Sequence, residues 1–203
     1  RRGAPAAAVC PAARITGDIS MTQVWLVRHG EASASWGEHS DPGLSDKGLR
    51  EAEASATHLQ SVVPEDVALV SSPKARAQET AAPLAACLNR TVVVNDAFQE
   101  IQAPVPLESR QVWLQGFMRQ TWDQQDESLW RWRDGIVSAL QELTEPTVIF
   151  THFLVINTVV AHSRQASKTV QCWPDNGSIH ALELREGAIE VVRLGRQMTS
   201  VVN

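Results

Sequence analysis

From Thr22 onward, short β-branched runs alternate with longer stretches of helical spacing, and this alternation narrows the chain to one broad architecture. Gln23 to Val27, Val67 to Val70, Val92 to Val94 and Thr147 to Phe150 have the length and composition of strands. Between them, Ser45 is placed to cap a helix carrying Leu49, Ala52 and Leu59. Ser72-Pro73 reads as the N-cap and first position of another helix, which Pro83 should kink or shorten. Strands joined through helices pair in parallel, and a parallel sheet needs cover on both faces. The expected fold class is therefore α/β: a single domain with a mostly parallel central sheet flanked by helices, a three-layer sandwich. Ser178 to Leu184 and Ala188 to Leu194 flank Arg185-Glu186-Gly187 and should close as a C-terminal hairpin. Residues 1–20, Ala-rich and leaning basic ahead of Met21, are read as an N-terminal extension, disordered or not native to the protein. Residues 21–203 are read as the domain.

Glu108 to Leu140 is the least regular stretch and holds Trp113, Trp122, Trp130 and Trp132, four of the seven tryptophans. Leu129, Trp132, Ile136 and Leu140 keep helical spacing and should form the buried stripe of an amphipathic helix. Trp113 and Phe117, four apart, are the candidates to line a substrate mouth, with a core role as the plainer alternative.

Composition removes several classes. With 43% hydrophobic and 20% charged residues, 203 residues can bury one substantial core, and no run approaches the ~18 apolar residues of a membrane span. The net charge of −5, spread along the chain, gives no reason to expect nucleic acid as a partner. Any anion site must then be a local cluster. Cys10, Cys87 and Cys172 are odd in number, far apart and without zinc spacing, which suits the reducing cytoplasm. Cys87 and Cys172 are expected to be small buried hydrophobes. Composition sets neither the oligomeric state nor the identity of a substrate.

The strongest chemical signal is Leu26-Val27-Arg28-His29-Gly30-Glu31, which places Arg28 and His29 where a strand opens into a loop, the edge at which parallel sheets hold ligands. Arg28 can grip two phosphate oxygens, His29 offers a nitrogen nucleophile near neutral pH, and Gly30 permits close backbone approach. Ser71-Ser72-Pro73-Lys74-Ala75-Arg76 follows the second strand and puts Arg76 in the first turn of a helix, its anion-attracting end. Thr151-His152-Phe153 follows the fourth strand. All three groups leave equivalent strand ends, so they should meet as a compact cationic pocket.

RHGE after a strand, SSPKARAQETA at the next strand end and TH after an apolar strand together resemble the histidine phosphatase superfamily, the group that includes cofactor-dependent phosphoglycerate mutases. The resemblance runs from about Met21 to Leu194, and Trp173 to Ser178 looks like the family's late loop. It implies that His29 attacks phosphorus while Arg28, Arg76 and His152 hold the phosphate oxygens, and that water later releases phosphate. The family's general acid follows the third strand, which points to Glu100, with Asp96 and Glu108 as weaker substitutes. No cofactor is implied, and no carboxylate cluster suggests magnesium or zinc.

The sequence departs from the family pattern at Ala32, at Ser35 where mutase-like members carry asparagine, and at Phe153 where glycine is usual. Ser35 is a candidate to bond phosphate in the asparagine's place. The glycine-rich stretch after the acid is replaced by Gln102-Ala103-Pro104-Val105-Pro106. The resulting expectation is a phosphomonoesterase acting on a small phosphorylated metabolite, with a phosphoglycerate-type mutase and a non-catalytic phosphate-binding module as alternatives. His39, His58, His162 and His180 are expected to be surface or satisfied core residues, and Asp41 to Ser45 to be turn chemistry.

Overall fold

The computed structural model describes residues 21–34 and 40–199. Strands β1 (Met21–Arg28), β2 (Ala68–Ser71), β3 (Val92–Val94), β4 (Thr147–Thr151), β5 (Ile179–Arg185) and β6 (Ala188–Arg193) form one sheet in the order β3-β2-β4-β1-β5-β6. The first four in that order run parallel, while β5 and β6 are antiparallel. The α/β class, the flanked, mostly parallel sheet and the closing hairpin are thus all present.

Helices α1 (Asp46–Gln60) and α2 (Ala75–Leu88) cover one face. There Ala56, Leu59, Ala81 and Leu84 pack on Trp25, Val27, Val148 and Phe150. On the other face α4 (Glu127–Gln141) and α5 (Phe153–Ser163) bring Ile136, Leu140, Ile156 and Val159 onto Val24, Leu26 and Ile149. The alternation along β1 therefore feeds both cores, as two-sided cover demands. Beyond this layer, α3 (Arg110–Phe117) and the tryptophan-rich segment make a third cluster with Leu154 and Ile101. Leu129, Ile136 and Leu140 are buried along α4, and Trp113 stacks on Phe117 at 5.3 Å within the third cluster.

Three local expectations are corrected. Helix α2 starts at Ala75 after Lys74, so Ser72 is not its N-cap. The Ser72 hydroxyl is engaged by a histidine from another strand end instead. Asp41 takes the capping role from afar, its carboxylate accepting the Ala75 N–H at 3.1 and 3.3 Å. Pro83 does not shorten α2, which runs on to Leu88 and ends at Asn89 in the left-handed region (φ 51°). Cys172 is buried as expected, but Cys87 is exposed on the outer side of α2. Ser45 caps α1 as expected, accepting the Gly48 N–H at 3.1 Å. Residues 1–20, Ser35 and His39 lie outside the described residues.

Register positions the functional edge. Arg28 pairs with Thr151 and Ser71 with Phe150, so β1, β2 and β4 end at one level and the segments that follow them meet. Among the described residues no helix is long and apolar enough to cross a membrane.

Candidate active site

His29 continues the β1 ladder, its amide donating to Thr151 O at 2.9 Å, before the chain turns at Gly30. The Gly30 amide donates to Thr80 Oγ1 at 3.0 Å, and that hydroxyl donates to Arg76 O at 2.6 Å, tying the loop to α2. His29 is 6% exposed and its Nδ1–H donates to Gly30 O at 2.7 Å. Its Nε2 lone pair accepts from Arg76 Nε at 3.1 Å. The other arm of Arg76, Nη2, donates to His152 Nδ1 at 3.2 Å. A guanidinium can only donate, so each histidine nitrogen facing it is the unprotonated one. His152 must then carry its proton on Nε2, which donates to Ser72 Oγ at 2.7 Å. The two imidazoles stand 5.1 Å apart at 60°.

Electrostatics reinforce these tautomers. Burial, then Arg76 and Arg28, hold His29 well below the usual histidine range. His152 is likewise lowered well below that range, by burial first, then by the neighbouring His29 and by Arg76, Lys74 and Arg28. Both rings are neutral near pH 7. Arg28, whose burial pulls it down to about 10, stays cationic. Its Nη1 donates to Pro174 O at 2.7 Å and its guanidinium lies 5.4 Å from the Phe153 ring centroid. The buried Arg28 Nε has no hydrogen-bond partner among the described residues.

Glu100 follows a one-turn 3-10 helix at Asp96–Phe98 and is 2% exposed. Its carboxylate accepts the Ile101 and Leu154 amides at 3.0 and 3.4 Å. Burial raises its pKa, against the opposing pull of those amides and of Arg76 and Arg28. Asp96 and Glu108, the weaker substitutes, are exposed. Arg76 is 8% exposed and its Nη1 sits 3.9 Å from Asp41, a residue that reads in the sequence only as turn chemistry. Among the described residues no group of three His, Cys, Asp or Glu side chains is placed to hold a metal.

The profile of the histidine phosphatase superfamily (branch 1) matches residues 24–197, spanning every element of this site. The chain belongs to the histidine phosphatase superfamily. Among curated protein sequences none matches it. Solved structures share the fold. A phosphoserine phosphatase from Entamoeba histolytica in complex with 3-phosphoglyceric acid is 19% identical with a TM-score of 0.67, covering 87% of this chain and 98% of that one. An Escherichia coli protein described as a putative alpha-ribazole-5'-P phosphatase is 18% identical, TM-score 0.67, covering 89% and 100%. A mycobacterial glucosyl-3-phosphoglycerate phosphatase complexed with VO3 is 19% identical, TM-score 0.58, covering 79% and 92%.

Sequence reading of this superfamily member singles out Arg28, His29, Arg76 and His152, and the structure brings these four together. It also places Glu100 within electrostatic reach of both arginines. Two participants are invisible in the sequence in these positions. Ser72 lies inside the recognised motif but looks like a cap, and Asp41 has only a proline and glycine after it to suggest a turn. Phe153, where glycine is usual, is buried against Trp173 at 5.5 Å and forms the apolar wall beside Arg28. The remaining histidines among the described residues stay outside: His58 is exposed, His162 half-buried, and His180 is buried with both ring nitrogens bonded.

Proposed function

We propose that this protein is a metal-independent phosphomonoesterase that hydrolyses a small phosphorylated metabolite in the cytoplasm through a phosphohistidine intermediate. The observation that carries the reading is the His29–Arg76–His152 chain: two buried, neutral imidazoles joined by one guanidinium, with the nucleophile's Nε2 lone pair facing that guanidinium. In the free protein Arg76 Nε–H occupies this lone pair. An incoming phosphoryl oxygen takes the N–H instead, which frees Nε2 and draws the phosphorus towards it in one exchange.

His29 Nε2 then forms the P–N bond as the ester P–O bond breaks. Its Nδ1–H, held by Gly30 O, fixes the ring and supports the cation that develops on it. Charge on the equatorial oxygens is met by Arg76, by Arg28 and by His152, whose ring turns so that its N–H leaves Ser72 Oγ for the phosphate. The leaving alkoxide takes the proton of Glu100, whose burial favours its acid form. In the second half, Glu100 carboxylate accepts a proton from water as the water oxygen attacks phosphorus and the P–N bond breaks, returning neutral His29 and releasing phosphate. Two guanidiniums and an imidazole thus cover the transition-state charge from the chain's own side chains. Ser35 is a further candidate phosphate ligand. The substrate is a phosphorylated small molecule; the net charge of −5 gives no reason to expect nucleic acid or membrane as partner.

Phosphate release from an aryl phosphate, with chelator present, tests the reading. The parent chain should turn over and His29→Ala should fall by roughly three orders of magnitude or more. Label trapped on the parent should be acid-labile and alkali-stable, as a phosphoramidate is. Activity unchanged in His29→Ala, or acid-stable label, overturns the assignment. Turnover only as isomerisation that needs a bisphosphorylated primer would make the protein a mutase. Ligand-raised melting temperature with no release would make it a binding module.

A further inference from the structure

A cavity of about 420 Å³ lies on the α1 side of the sheet, where the helices stop short of the β5–β6 edge. None of Arg28, His29, Arg76, Glu100 and His152 lines it, although its Gly177 and Ser178 bond the backbone of Arg28 at 3.0 Å, and the proposed reaction does not depend on it. Its wall carries His58 from the last turn of α1, Arg193 from the end of β6 and Arg196 from the segment after it, and no carboxylate lines it. In a chain of net charge −5 this convergence of basic groups from three segments is out of proportion.

The fold aims Arg193 into this cleft by a specific device. Along β6, Ile189 and Val191 pair with Leu184 and Leu182, and all four pack with the α5-side core. Simple alternation would send Arg193 to that same buried face. A β-bulge intervenes between Ala181 and Leu182, pairing Arg193 with Ala181, which packs on the α1 side with Ile179. One extra residue, Val192, therefore turns the guanidinium to the opposite face of the sheet. Gly195 then pins the following segment: its amide donates to His180 Nδ1 at 3.1 Å, and a side chain there would stand 2.5 Å from Ile179 O. Arg193 and Arg196 thus flank a backbone anchored to β5 at Gly195.

Among the described residues no carboxylate forms an ion pair with Arg193 or Arg196; the Arg196 guanidinium donates to Asn176 O at 3.1 Å, and its carbonyl accepts the Asp175 amide at 2.9 Å. On α1 the Glu51 carboxylate is engaged at the catalytic loop, accepting the Glu31 amide at 2.8 Å with Lys47 at 3.6 Å. The cavity is thus a cationic cleft whose two arginines form no ion pair among the described residues.

We propose that the cleft between α1 and the β5–β6 hairpin is a second anion site, which takes a small polyanion of at least two negative charges between Arg193, Arg196 and His58. Titration of the full chain with inorganic pyrophosphate, followed by backbone amide NMR, separates it from the catalytic pocket. Two saturating sets of shifts are expected in the parent, one at Gly30 and Glu31 and one at His58, Ile179 and Gly195. In the Arg193→Gln, Arg196→Gln double variant the second set should weaken by about tenfold or more, with the first set and aryl phosphate turnover unchanged. An Arg193→Lys, Arg196→Lys variant should keep most of the second set, since it keeps the charge. Shifts confined to the catalytic loop, or cleft shifts with the same affinity in the Gln variant, would overturn the proposal.

Discussion

Replacing Gly48 with alanine sets two opposed effects against each other at the point where α1 meets the catalytic loop. Gly48 sits in the first turn of α1, and in a helix alanine is favoured over glycine by about 1 kcal/mol. Here the added methyl would fall inside the contact distance of Glu31 O and 2.9 Å from Glu31 N. Both obstacles are backbone, so the helix and loop must separate by roughly 1 Å to restore ordinary contact. Glu31 O also accepts the Ser45 amide at 2.9 Å, so the cap of α1 is strained by the same movement. Overpacking of this kind costs about 1–3 kcal/mol and commonly exceeds the propensity gain, so the variant should be less stable by about 1–2 kcal/mol. Urea denaturation with an m-value of about 2 kcal/mol/M would place the midpoint ~0.5–1 M lower. Because Gly30 and His29 precede Glu31, a displacement on this scale should also lower turnover about a hundredfold. Gly135, in the interior of α4 with nothing near its absent side chain, is the control: Gly135→Ala should gain about 0.5–1 kcal/mol and leave turnover alone. If Gly48→Ala is stabilised like the control and remains fully active, the close backbone approach inferred here is wrong.

Other expected outcomes follow from the buried polar groups. Ser72→Ala removes the acceptor of a fully buried N–H on His152 and should cost about 1–3 kcal/mol in denaturant unfolding, with a drop in kcat larger than any change in KM. Glu100 has a raised pKa, so its acid form persists to higher pH; kcat should decline as pH rises through that pKa, and Glu100→Gln should be slow and lack this limb. His180 is lowered to about 4 by burial, its Nδ1 accepting the Gly195 amide. A depressed histidine contributes stability above its unfolded pKa near 6.5, and that contribution is lost as pH falls towards 4. The slope should approach about 1.4 kcal/mol per pH unit, and thermal melts of His180→Gln across pH 4–7 should be correspondingly flatter.

The strands, the hairpin and the order of the layers are legible because each depends on spacing within a few residues. Helix α5 is the telling exception. From Phe153 to Ala161 it is buried on every side, packed between the sheet and the tryptophan cluster, so it carries no polar stripe and no 3.6-residue signature to read. Cys87 misleads for the converse reason: a small residue on a helix takes whichever face the helix turns outward, and α2 turns it to solvent. Pro83 would be expected to break a helix standing alone, yet α2 persists through it, held by Ala81 and Leu84 against the sheet.

The same division runs through the site. Sequence alone determined that Arg28, His29, Arg76 and His152 leave strand ends or the first turn after one, since motif order and apolar runs are properties of neighbouring residues. Only the tertiary structure decided that Ser72 serves His152, 80 positions away, and does not cap α2. It likewise decided that Asp41 reaches Ala75 across 34 positions, that Glu100 is buried beside two arginines, and that a bulge turns Arg193 across the sheet. Hydrogen-bond partners and burial are set by the register in which distant segments meet, and no local spacing encodes that register.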